Sequence, residues 1–83
     1  MVKKELIDKV NMFCDSDDLD IKKQLKSEIQ KFTRENKIFN DNIYTSSFNT
    51  MILAHYDAFR MSNIKTSKTS IIEFIERHHD NLS

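Results

Sequence analysis

Glycine and proline are both absent from the 83 residues, and their absence removes more chemistry than any one motif could add. Without glycine no residue takes a positive φ freely, which argues against tight β-hairpin turns and against nucleophile elbows and phosphate-cradling loops. Helices suffer least. Asn, Asp, Ser and Thr must therefore supply the punctuation, by capping helix starts and tolerating left-handed backbone.

Other absences narrow the class further. The single cysteine, Cys14, cannot form an internal disulfide. Neither a charged-then-apolar secretory start nor an apolar run of about 18 residues is present, so the expectation is a reduced, cytoplasmic protein with no membrane insertion. Lys plus Arg and Asp plus Glu both number 13, so there is no global field to favour nucleic acid or anionic lipid. An apolar fraction of 39% with six Phe and two Tyr is still enough for a core, and the mass scaling gives roughly 5,000 Å² of folded surface for one domain.

What is present is helical periodicity. Leu6, Ile7, Val10, Phe13 and Cys14 share one stripe of a helix over about 3–14, with Lys3, Lys4, Asp8 and Lys9 toward water. "CDSDDLD" interrupts the period and offers Ser16, Asp17 and Asp18 as caps. Ile21, Leu25, Ile29 and Phe32 define a second helix over about 18–36. Its other side gathers Lys22, Lys23, Lys26, Lys31, Arg34 and Lys37, with Glu28 and Glu35 on the remaining flank. The plain reading of that basic face is a solvated surface whose lysine stems shield the core; the functional reading is a partner-binding stripe.

The third helix spans about 42–61, with Asn40, Asp41 and Asn42 as competing caps; Asn40 would let Phe39 staple against Tyr44. Tyr44, Phe48, Met51, Ile52, His55 and Phe59 fall on its apolar stripe, which Ala54, Ala58 and Met61 broaden. Leu53 projects from the opposite side, where a fourth helix or a partner must cover it. That helix spans about 69–80, opened by the capping-box spacing of Ser70 and Glu73, with Ser67 as the rival cap. Ile71, Phe74, Ile75, His78 and Leu82 share its face, and Glu73, Glu76, Arg77 and Asp80 lie opposite. The expected architecture is all-α, a compact single-domain bundle of about four short helices, with an orthogonal packing as the second choice.

Catalytic and metal chemistries find little footing. Cys14 lies on a core stripe. "DSDDLDIKKQLK" alternates acids like a calcium loop but has Asp20 where glycine is needed and Lys26 where a bidentate Glu is needed. Glu76-x-x-His79 is half of a carboxylate-bridged site with no second half, and adjacent His78 and His79 diverge on a helix. No cofactor is expected. His55, mid-stripe, reads as a neutral, hydrogen-bonded core residue, with an interface or pH-responsive role as the alternatives.

The remaining expectation is a non-catalytic, protein-binding accessory or regulatory protein whose candidate contacts are Lys23, Lys26, Arg34, Lys37 and Leu53, with nucleic acid not expected as the partner. A second copy covering the broad apolar side of the third helix is left open. In "VNMFCDSDDLDIK" and "NIYTSSFNTMILAHYDAFRMS" the chain resembles the rIII-type lysis-inhibition accessory proteins of T-even bacteriophages. That resemblance implies a protein of the host cytoplasm that delays lysis by contacting the cytoplasmic part of the phage holin, without catalysis. A bacteriocin-immunity-type bundle is the runner-up, and a small DNA-binding regulator stands third.

Overall fold

The computed structural model describes residues 2–79, and they form four helices: α1 Val2–Asp15, α2 Leu19–Asn36, α3 Asn42–Ser62 and α4 Lys68–His78. The starts of α2, α3 and α4 are each set by one short polar side chain. Asp18 accepts the backbone N–H groups of Asp20 and Ile21 to open α2. Asp41 opens α3 by accepting the N–H of Ile43, so Asn40 is not the cap and the Phe39–Tyr44 staple expected with it does not form. Phe39 turns inward instead, its ring 5.3 Å from that of Phe48 and 5.5 Å from that of Phe74.

Ser67, not Ser70, caps α4 by accepting the N–H of Thr69, which starts that helix at Lys68. The helix stops at His78, earlier than its polar face suggests, because His79 takes an extended backbone whose N–H closes on the Ile75 carbonyl. Asp80 and Leu82, placed on the fourth helix by period, lie outside the described residues.

The helices form a closed ring: α1 packs on α2, α2 on α3, α3 on α4 and α4 back on α1. Connections at 16–18, 37–41 and 63–67 reverse the chain each time. Ion pairs fix the sense of closure, since Lys3 near the start of α1 meets Glu76 near the end of α4 at 2.9 Å, while Lys68 at the start of α4 meets Asp15 at the end of α1 at 3.0 Å. The result is a bundle of 36 × 19 × 18 Å.

Leu6, Val10 and Phe13 of α1, Ile29 of α2, Phe48 and Ile52 of α3 and Ile75 of α4 meet in its centre with no exposed surface. The buried side of α2 is rotated from the expected one. Lys22, Leu25, Ile29 and Thr33 face inward, and Ile21 is left 46% exposed. Tyr56, off the apolar stripe of α3 by period, is buried, whereas Tyr44, Ala54 and Met61 stand at or beyond the margin of the core.

With no glycine available, α2 and α3 end on side-chain-bearing residues in the left-handed region, Lys37 at φ 48° and Asn63 at φ 55°. Asn63 is a customary substitute for glycine and closes its helix with bonds to Phe59 and, through Ile64, to Ala58. Lysine has no such compensation. Replacing Lys37 by glycine should raise the unfolding free energy by roughly 0.5 to 1 kcal/mol, seen as a higher urea midpoint at unchanged slope. An unchanged or lower midpoint would mean that the lysine side chain offsets its own backbone cost.

Candidate interaction surface and the buried lysine-histidine pair

The basic face expected on α2 loses one member. Lys22 sits three residues before Leu25 and seven before Ile29, which is the spacing of the buried stripe, and it has no exposed surface. The cause lies in α1, whose terminal carbonyls need donors that the backbone beyond Asp15 does not fully supply. Lys22 Nζ donates to the carbonyls of Phe13 at 2.6 Å and Cys14 at 3.3 Å. The N–H of Ser16 takes the Met12 carbonyl, and Lys65 Nζ reaches the Asp15 carbonyl at 3.1 Å. Two lysines from distant parts of the chain thus do the work of a C-cap glycine, and their charge lies at the negative end of the helix.

The third proton of the Lys22 ammonium points to Nε2 of His55 at 3.0 Å. That contact assigns the tautomer: Nε2 accepts, so Nδ1 carries the proton and donates to Thr66 Oγ1 at 2.8 Å. The ammonium also lies 5.0 Å from the ring centre of Phe13 and 4.8 Å from that of Phe59, and cation–π attraction replaces part of its lost hydration. A buried cation with no carboxylate within ion-pair distance among the described residues is held by two carbonyls, an imidazole and two ring faces.

These surroundings set the titration of each group. Burial first, then the Lys22 charge and that of Lys65, pull His55 down to about 4. Burial also lowers Lys22 below the ordinary lysine value. The Cys14 thiol is pushed up to about 11 by burial, with Lys22 pulling the other way, which keeps it protonated at neutral pH. His55 does border a shallow cleft of about 270 Å³ between α3 and α4, but its nitrogens are already bonded to Lys22 and Thr66. Among the described residues no group of three or more His, Cys, Asp or Glu is placed to hold a metal ion. Glu76, considered with His79 for such a role, pairs with Lys3.

The outer face of α2 has a different character. Lys3, Lys4, Lys9, Lys65, Lys68 and Arg60 all pair with carboxylates. Lys23, Lys31, Arg34 and Lys37 are exposed and have no ion-pair partner among the described residues. Lys26, a candidate contact by sequence, is half-buried with its ammonium 4.8 Å from the Tyr56 ring centre, so it lies against α3. Lys23 and Lys31 border a shallow, open cleft of about 510 Å³ formed between side chains of α2 alone, and Arg34 and Lys37 border one of about 550 Å³ where α2 gives way to α3. Leu53 is 42% exposed on α3. No described helix is long and apolar enough to cross a membrane.

Sequence reasoning missed Lys22, Thr66 and Tyr56. A signal for Lys22 existed, because positions 22, 25, 29 and 33 form as regular a helical stripe as the one through Ile21. Thr66, in the polar connection after α3, carries no such signal.

Two measurements test the pair. His55 is pulled below its unfolded pKa near 6.5, so its contribution to stability is complete above that pH and is lost as the pH falls through about 4, by about 3 kcal/mol in all. Denaturant unfolding between neutral and acid pH should show this loss, and a His55 ring titrating above 6.5 by NMR would contradict it. Lys22→Met keeps most of the volume but removes all three donors, and should cost about 3 kcal/mol with loss of order at the end of α1. Native stability in that variant would show that the carbonyls find other donors. No protein-family model matches the chain, and neither does any curated protein or solved structure.

Proposed function

We propose that this protein is a non-catalytic protein-binding accessory protein, which in keeping with its resemblance to the phage lysis-inhibition accessory proteins contacts the cytoplasmic part of a holin and delays host lysis. The observation that carries the reading is the segregation of charge. Among the described residues, six of the seven Lys and Arg outside α2 and its C-cap are matched to carboxylates, Arg77 being the exception, while α2 and its C-cap Lys37 hold four exposed ones that have no such match. Charges left unmatched on one face are available to steer and orient a partner.

Three groups able to do acid–base or nucleophilic chemistry support the same reading. Lys22, His55 and Cys14 are buried, and the first two are hydrogen-bonded to other parts of the bundle. Leu53 adds an apolar contact on α3.

Calorimetry with a synthetic holin cytoplasmic segment tests the proposal, alongside lysis timing in infected cultures. A Lys23, Arg34 and Lys37 charge reversal and, separately, Leu53→Asp should each weaken binding by about tenfold or more with helicity retained, and should advance lysis. Full affinity in both variants would overturn the surface assignment. Protection of cells from a bacteriocin, with unchanged lysis timing, would assign the bundle to the immunity class.

A further inference from the structure

The exposed cations of α2 that have no ion-pair partner among the described residues coincide with the relief of the surface. Lys23 and Lys31 border one cleft, and Arg34 and Lys37 border the other. At about 100° per residue Lys23, Arg34 and Lys31 fall within about 80° of arc, and Lys37 continues the same side at the helix end. The midpoints of the two pairs are separated by about 13 Å along the axis, the rise of eight or nine helical residues.

We infer that this side of α2 is a docking groove for an acidic helical segment of a partner protein, carrying two clusters of Asp or Glu about nine residues apart, one for each cleft. The inference rests on the protein-binding reading above and names the chemistry of the partner. Charge complementarity selects the occupant. Gln24 and Ser27 line the first cleft, and Asn40 and Asn42 the second, so hydrogen-bonding groups lie beside the cations in both.

The positive strip is one helix wide. Asp20, Glu28 and Glu35, all exposed, border it, and Glu28 itself lines the first cleft. A nucleic-acid duplex, with a phosphate charge about every 1.7 Å of its axis, would press phosphates onto those carboxylates. A single helix about 10 Å across meets the cations and leaves Asp20 and Glu35 in water, and the charge of Glu28 is offset by Lys9 at 3.3 Å. A lipid surface would want apolar side chains between the cations, and Ser27 stands there instead.

The test uses a fluorescent helical peptide of about 16 residues bearing two Glu pairs about nine residues apart, against a peptide of the same composition with its acids contiguous. Anisotropy should show the spaced peptide binding about tenfold tighter, and weakening as salt rises to about 0.3 M. Lys23→Glu with Lys31→Glu, and Arg34→Glu with Lys37→Glu, should each cost about tenfold, and the four together should abolish binding. Lys37→Gly, expected to be more stable than the parent, should still bind a few-fold more weakly, which separates lost charge from lost fold.

Equal binding of the two peptides, indifference to both reversals, or tighter binding of short duplex DNA or of vesicles with equal parts phosphatidylserine and phosphatidylcholine would overturn the groove. The two readings fail differently. A holin segment bound equally by both reversed variants and lost by Leu53→Asp would keep the protein-binding reading and remove the acidic occupant. Tight, spacing-dependent peptide binding with no affinity for the holin segment would keep the groove and remove the holin.

Discussion

The bundle is organised around one ammonium group. Lys22 Nζ closes the end of α1, reaches His55 on α3 and lies against the rings of Phe13 and Phe59, so one buried charge joins three helices. Burying a lysine is costly, and the cost is met because every proton on the nitrogen has an acceptor. The requirement follows from composition. A chain without glycine must end its helices by other means, and the end of α1 is completed by side chains supplied from α2 and from the connection before α4.

The same group dictates the chemistry around it. Burial, reinforced by the charged neighbour, keeps His55 neutral, a neutral His55 has one proton to give, and that proton anchors Thr66 in the connection leading to α4. Lys65 and Lys68 extend the junction to Asp17 and Asp15, so the end of α1, the start of α2 and the segment from 65 to 68 form one polar junction. At the other end of the bundle the fastening is aromatic, with Phe39, Phe48 and Phe74 in mutual ring contact. Charge is used inside one end and left on the surface of α2, which is the division that the functional reading depends on.

How much of this was legible in the sequence depended on range. Helical period is local, so the four helices and core residues such as Phe13, Ile29, Phe48 and Ile75 could be placed from neighbours three or four positions away. The choice among caps at 40–42, or between Ser67 and Ser70, turns on geometry that chemically similar residues do not reveal. Lys22 was hidden because charge suggests solvent, and its partner His55 is 33 residues away. His55 itself was readable as a neutral core residue, but the buried cation that adds to the effect of burial on its pKa was not. Of the candidate surface residues, Lys23, Arg34, Lys37 and Leu53 are exposed as expected, and Lys26 is drawn onto Tyr56, a ring the period left off the buried stripe.

The junction also bears on the order in which the chain matures. The Asp15 carbonyl waits for Lys65, a partner 50 residues downstream, and His55 lies 33 residues beyond Lys22. As the polypeptide emerges from the ribosome, α1 can pack on α2 early and take the Lys22 donors, but its last carbonyl, that of Asp15, stays without its lysine until α3 and the following connection have been synthesised. Closing that long loop carries an entropic cost that grows only slowly with its length, so the delay is chiefly one of synthesis. The helix made first is among the last to be finished.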